Sequence, residues 1–271
     1  MPMRGVQIVE TECRTILNRC TMGFAEYTLN AYQGCPFACS YCYVPVMRER
    51  RGQVDSLPWG QWVQVKTNAP DVLRRQMLNV PPEARIAIGT ASDSWQPIEK
   101  RYRISRRILE ELAYYPNPVQ VVTRSPLLLR DLDVLRRIPK VWVGVSIPTF
   151  DDSARRAFEP HAPAIPGRVH LVRELVRAGI SVRLFWCPIL YGVADSAEAV
   201  RDYLATAASL GVKKVFCETL NYSERLFGPH LRLLRAYREQ EGIRGHRSLS
   251  RSGLSAEIRH WSERLGVECR L

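Results

Sequence analysis

Tyr32-Gln33-Gly34-Cys35-Pro36-Phe37-Ala38-Cys39-Ser40-Tyr41-Cys42-Tyr43 is the stretch whose reading decides the rest. Three cysteines fall within eight positions at the spacing C-x3-C-x2-C. They lie in a loop that holds Gly34 and Pro36 and follows a run with strand character, Glu26–Tyr32. Thiolates this close reach three corners of a cubane iron–sulfur cluster, because such clusters are held by cysteine thiolates. No fourth cysteine stands at local spacing, so one iron is left for an outside ligand. Two other readings compete, a zinc site and three buried, inert thiols. Structural zinc needs four ligands, commonly in paired CxxC motifs. The chain has no second pair, and His161, His170, His230, His246 and His260 show no fitting spacing. The cluster is the stronger reading. An iron with an open position can be chelated by the amino and carboxylate groups of S-adenosylmethionine (SAM), and radical chemistry of that kind belongs to the cofactor.

Outward from the loop, short apolar runs alternate with helical stretches. Strands are expected at Arg85–Gly89, Val119–Thr123, Val141–Ile147, Ser181–Ile189 and Lys214–Leu220. A helix is expected from Pro70 to Leu78, and Ile104, Ile108 and Leu112 form an apolar stripe on the next. Ser125-Pro126 reads as an N-cap and first helical position. Gly179 and Gly211 stand where helix-ending glycines belong. Alternating β and α elements predict a parallel sheet, with ligands at the carboxyl ends of its strands. The expected organisation is an N-terminal arm over 1–25, a core over 26–221 and an Arg-rich helical extension over 222–271.

The chain of 271 residues carries 39 basic and 27 acidic residues, a formal net charge of +12. That field suits a phosphate-bearing partner, although an Arg-rich solvated surface would give the same count. No apolar run approaches a membrane span. No secretory h-region follows Met1, so a cytoplasmic location is expected and the eight cysteines do not suggest a disulfide framework.

The motif with Tyr41 before its third cysteine resembles that of the radical SAM superfamily. Wider stretches resemble its spore photoproduct lyase-like branch: "TLNAYQGCPFACSYCYVP", "WGQWVQVKTNAPDVLRRQM", "IAIGTASDSWQPIEKRYRISRRIL", "VVTRSPLLLRDLDVL", "VSIPTFDD" with "FEPHAP", "LVRAGISV" and "PILYGVADS". The resemblance implies a partial (β/α)6 barrel with a [4Fe–4S] cluster on Cys35, Cys39 and Cys42. It also implies SAM contacts: Tyr41 on the adenine, Ser92 and Asp93 at the amino group, Arg124 near the carboxylate and Ser146 at the ribose. An electron donor of flavodoxin or ferredoxin type is implied as well. The lyases of that branch carry a cysteine directly before the Ser-Asp pair, which returns a hydrogen atom to the product radical. Here that place is Ala91. The reading that follows is a radical SAM enzyme acting on a small anionic, nucleoside- or nucleotide-like substrate in a biosynthetic pathway. A DNA lesion lyase is the first alternative, and a non-catalytic metal-binding nucleic-acid module the second. Of the remaining cysteines, Cys187 and Cys217 lie on late strands and are the candidates for a hydrogen donor, a sulfur carrier or part of a second Fe–S cluster. The competing reading is small buried hydrophobes.

Overall fold

The computed structural model describes residues 5–53, 55–220, 224–243 and 245–271. The chain divides into two compact units. The first is formed by described residues within Met1–Phe37, Asp55–Gly144 and Arg177–Ser181; the second by those within Ala38–Val54, Val145–Val176 and Val182–Leu271. In the first unit the strands are β1 (Gln7–Thr11), β2 (Leu17–Arg19), β3 (Tyr27–Leu29), β4 (Tyr32–Gln33), β5 (Trp62–Lys66), β6 (Ile86–Ile88) and β7 (Val119–Thr123). Strand β8 (Val141–Ser146) begins in the first unit and ends in the second. The second unit holds β9 (Ser181–Ile189, from Val182), β10 (Lys214–Thr219) and β11 (Glu268–Arg270).

In the first unit, β3 pairs in parallel with β6 and β6 with β7. The Val119 N–H donates to the Lys140 carbonyl, which sets the start of β8 beside β7. Ile86, Ala87 and Ile88 are all fully buried. That is the pattern of a parallel strand covered on both faces, so it reads as an unbroken apolar run. The helix Ala69–Met77 buries Val72, Leu73 and Met77. The other helix with a long stripe, Ile104–Leu112, buries Ile104, Ile108, Leu109 and Leu112. Ser125 caps the turn that follows β7, its Oγ accepting from the Leu127 N–H.

The expected strand Glu26–Tyr32 splits in two. Tyr27–Leu29 joins the parallel sheet, whereas Tyr32–Gln33 runs antiparallel to β5 in a small separate sheet with β1. The break at Asn30-Ala31 lets the chain change sheets just before the cysteine loop. Its apolar residues continue through the break, so periodicity alone does not reveal it. The N-terminal stretch is built into these sheets through β1 and β2.

In the second unit β9, β10 and β11 are parallel neighbours. The Ile147 N–H donates to the Phe185 carbonyl, next to the end of β8. Helix Ala197–Ser209 is capped by Ser196 and buries Val200, Tyr203, Leu204 and Ala207. Tyr203 stacks on Trp186 of β9 with ring centroids 4.1 Å apart. The C-terminal region forms the helices Glu224–Gln240 and Arg251–Leu265 before β11. The fold is thus mixed α/β with a parallel sheet, and its polar clusters follow strand ends.

Candidate functional site

Two constellations carry the residues singled out by sequence, one in each unit. In the first unit β6 ends at Ile88 and Gly89 turns the chain at φ +83°. A Cβ at Gly89 would lie 2.3 Å from the Val122 carbonyl oxygen, so only glycine allows this approach of the loop to β7. The loop that follows holds Ser92 and Asp93, both buried. Ser92 Oγ donates to the Tyr32 carbonyl at 2.8 Å. Asp93 Oδ1 accepts from the Trp95 N–H at 2.9 Å and from Thr123 Oγ1 at 2.7 Å. Its Oδ2 accepts from the Arg124 N–H at 2.7 Å. Burial pushes the Asp93 carboxyl above its ordinary range, and these three donors pull it part of the way back. Asp93 and Arg124 therefore share one network across the ends of β6 and β7, and Ser92 of the same loop is tied separately to Tyr32.

Ala91 is fixed in the same loop, its N–H donating to Asn30 Oδ1 at 2.9 Å. The Asn30 carbonyl accepts from Lys66 Nζ at 3.0 Å, and burial lowers the Lys66 ammonium below its usual value. Behind Asp93, Trp95 Nε1 donates to the fully buried Asp131, which Arg106 and Arg130 also contact. Arg130 also pairs with buried Glu99, which accepts from the Tyr32 hydroxyl. Cys35 is buried in this unit too. It follows Gly34, whose φ is +83° and whose added Cβ would sit 2.3 Å from the Trp62 carbonyl oxygen.

In the second unit Cys39 and Cys42 are half-buried. The Cys42 N–H donates to the Cys39 carbonyl at 3.0 Å, and Ala38 before them takes φ +50°. The Ser40 N–H donates to the Phe158 carbonyl. Tyr41 is buried and its hydroxyl donates to Glu159 Oε1. The same oxygen is 4.0 Å from Cys39 Sγ. Arg168 Nη2 donates to Glu159 Oε2 at 2.5 Å, and its Nη1 donates to the Ser146 carbonyl at 3.0 Å. Tyr41, Cys39 and Ser146 are thus joined through one ion pair. Glu159 stands in the quoted "FEPHAP" stretch, but Arg168 carries no local signal, because its partners are set by tertiary packing.

The late cysteines lie on neighbouring strands. Cys187 is half-buried near the end of β9, and its Sγ donates to the Phe216 carbonyl at 3.4 Å. Cys217 on β10 is buried with its Sγ 3.1 Å from that of Cys269 on β11. This contact and burial push the Cys269 thiol far up. The pairing of Cys217 with Cys269 was not legible from spacing, since the two are separated by two helices.

Among the described residues, no three His, Cys, Asp or Glu side chains converge on one point as a single metal ion requires. A cubane presents separate corners, so its thiolates need not converge. Three thiols of one short loop, one buried and two half-buried, fit such a group in donor chemistry and number.

A family model described as the radical SAM superfamily matches residues 29–204. The uncharacterized protein MJ0683 of Methanocaldococcus jannaschii is 29% identical over 190 residues, which is 70% of each chain. The uncharacterized protein Mb2609c of Mycobacterium bovis is 31% identical over 237 residues, covering 84% of this chain and 66% of that one. Among solved structures, spore photoproduct lyase complexed with dinucleoside spore photoproduct matches at a TM-score of 0.69 and 18% identity, over 97% of this chain and 82% of that one. A variant of that lyase with bound AdoMet and the same dinucleoside matches at 0.69 and 17%, with the same coverage. This likeness extends over nearly the whole chain and identifies the fold as that of the lyase.

Proposed function

Because this chain belongs to the radical SAM superfamily, whose enzymes work with a [4Fe–4S] cluster and SAM, we propose that Cys35, Cys39 and Cys42 hold the cluster and that Tyr41, Ser92, Asp93, Arg124 and Ser146 are the SAM contacts. When bound, the cluster supplies the electron that cleaves SAM reductively, drawn from a donor of flavodoxin or ferredoxin type. The chain's residues bind and orient. Tyr41 offers a ring face to the adenine, and Ser146 a hydroxyl to the ribose. Arg124 offers a cation to the SAM carboxylate. The loop of Ser92 and Asp93 receives the amino group. Among the described residues Asp93 Oδ2 accepts one hydrogen bond, so a lone-pair direction remains for an ammonium. The anaerobically reconstituted protein should release 5′-deoxyadenosine from SAM. Alanine at Cys35, Cys39 or Cys42 should abolish this together with iron binding. Cleavage that persists in the triple variant would sink the assignment.

For the substrate, the reading favoured is a nucleic-acid lesion. The observation that carries it is the fold match over 97% of the chain to a lyase complexed with a dinucleoside photoproduct, and the net charge of +12 agrees with it. A specific residue favours a second reading, a small nucleoside- or nucleotide-like anion in a biosynthetic step. Ala91 stands where those lyases carry their hydrogen-donor cysteine, so this chain is not expected to convert the spore photoproduct efficiently. Salt separates the two readings. Binding to long DNA falls steeply as salt rises, because many counterions are released, whereas a small nucleotide gives a shallow slope.

Cys187 and Cys217 are proposed to serve that chemistry as hydrogen donor, or as part of a second Fe–S centre supplying sulfur for insertion. Their position on the neighbouring strands β9 and β10 supports this. Wild-type iron content and full turnover in both Cys187→Ala and Cys217→Ala would reduce them to packing.

A further inference from the structure

The resemblance assigns neither Glu159 nor Arg168 a cofactor contact, yet they are among the most buried charges in the second unit, 1% and 0% exposed. Their contacts among the described residues go to defined places. Glu159 Oε1 takes the Tyr41 hydroxyl and lies 4.0 Å from Cys39 Sγ. Glu159 Oε2 takes Arg168 Nη2. Arg168 Nη1 reaches the Ser146 carbonyl at 3.0 Å, and its Nε reaches the Pro163 carbonyl at 2.9 Å. The Arg155 guanidinium adds long contacts to the carbonyls of Glu159 and Ala162, both 3.5 Å, which brace the same turn.

A buried ion pair is a poor way to gain stability, because the desolvation of both charges offsets most of their attraction, and apolar packing of equal volume does as well. What it offers is direction. A carboxylate and a guanidinium hold several groups at fixed angles, which a cluster of Leu and Val cannot do. The groups held here are the ring hydroxyl between two cysteines and the backbone at the end of β8.

We propose that Glu159, locked by Arg168, is a positioning residue for SAM. It fixes the Tyr41 ring and the Cys39–Cys42 turn relative to Ser146, so that adenine and ribose contacts form together. The inference rests on the assignment of Tyr41, Cys39 and Ser146 made above. Glu159 touches neither cofactor nor substrate in this scheme; it acts through Tyr41.

The test is a double-mutant cycle on the reconstituted holoenzyme: Tyr41→Phe, Glu159→Gln and both together. Three quantities are read, namely iron per chain, thermal midpoint and the SAM dissociation constant from the change in the reduced cluster's electron paramagnetic resonance. Tyr41→Phe removes one oxygen and keeps the ring. It should hold its iron and weaken SAM roughly ten-fold, the worth of one hydrogen bond to a charged group. Glu159→Gln should weaken SAM by a similar factor. The double variant should lose no more than either single, because both remove the same link. A roughly hundred-fold loss in the double variant would mean two independent effects and would overturn the proposal. So would wild-type SAM affinity in Tyr41→Phe, which decides alone if Glu159→Gln fails to fold. Cys39→Ala is measured beside them. If it keeps its iron, the cluster assignment and this proposal fall together. If it loses its iron while Tyr41→Phe binds SAM normally, only the positioning role falls.

Discussion

Replacing Asp93 by alanine should cost this protein stability before it costs any cofactor contact. The carboxylate accepts from two backbone N–H groups, Trp95 and Arg124, and from the Thr123 hydroxyl. Alanine leaves all three donors without a partner at a site where Asp93 is only 5% exposed. Each unsatisfied buried donor costs about 1–3 kcal/mol, so the gross penalty is about 3–9 kcal/mol. Two effects reduce it: the vacated space can take a water molecule, and the buried charge itself disappears. The lower end, about 3 kcal/mol, is the expected net loss, against a total stability of about 5–15 kcal/mol for a domain. That corresponds to a fall of roughly 6–12 °C in the thermal midpoint of the cofactor-free protein, at roughly 2–4 °C per kcal/mol for a chain of this size. Asn at the same position keeps an oxygen for Trp95 and Thr123 but turns an NH2 toward the Arg124 N–H. It loses one bond, and should fall between wild type and Ala.

The pH dependence gives a second handle on the same side chain. Burial raises the Asp93 pKa in the folded state above the ordinary 3.8. Between 3.8 and the raised value the folded protein holds the extra proton, so Asp93 lowers stability as pH rises through that window, and the loss is complete above it. Asn does not titrate. The stability of wild type relative to Asp93→Asn should therefore decline as pH rises from about 3.8 and then level off. Urea unfolding of the cofactor-free chain under anaerobic conditions measures both effects. A wild-type midpoint for Asp93→Ala, or an Asn variant less stable than the Ala variant, would refute the reasoning.

Three further outcomes are expected. Gly34→Ala should destabilise the chain by about 3 kcal/mol or more, since φ is +83° and the new Cβ would meet the Trp62 carbonyl at 2.3 Å; a lowered urea midpoint together with poor iron uptake is the predicted readout. Asp152 is held down to about 2, chiefly by the Arg155 guanidinium. Its contribution is present above the ordinary 3.8 and lost as pH falls toward about 2, so the gap in urea midpoint between wild type and Asp152→Asn should close on acidification. Ser196→Ala removes the oxygen that accepts from the Ala199 N–H at 3.2 Å and should cost about 1 kcal/mol of stability, with SAM binding unchanged.

What the sequence made legible follows from what each signal depends on. The cysteine loop and the strand–helix alternation are local, and the expected elements at Val119–Thr123 and Ser181–Ile189 coincide with β7 and β9. The split between Tyr27–Leu29 and Tyr32–Gln33 was hidden, because both halves bury apolar side chains although they belong to different sheets. Ser92, Asp93 and Arg124 were pointed to by the resemblance, and each closely follows a strand. Their partners Thr123 and Asn30 were not, because a strand-end threonine and a loop asparagine have no distinguishing spacing.

Asp93 shows why a motif locates a residue more reliably than it assigns the residue a role. The Ser-Asp pair suggests a carboxylate waiting for an ammonium. In the structure that carboxylate is already the acceptor that ties the β6 loop to the end of β7 through Thr123 and Arg124. The two roles do not compete, since three donors leave one lone-pair direction on Oδ2. They do change how a loss of SAM affinity must be interpreted. A variant that loosens the loop displaces Ser92 and Arg124 as well, because Ser92 is the neighbour of Asp93 in the loop and the Arg124 N–H donates to its carboxylate. The same holds in the second unit, where disturbing Glu159 affects Tyr41, Cys39 and Ser146 together. In both places contacts proposed for the cofactor are supported by buried polar groups that must stay satisfied in its absence. Substitutions that keep the shape of the side chain, such as Asp93→Asn and Tyr41→Phe, therefore separate binding from folding better than alanine at Asp93 does.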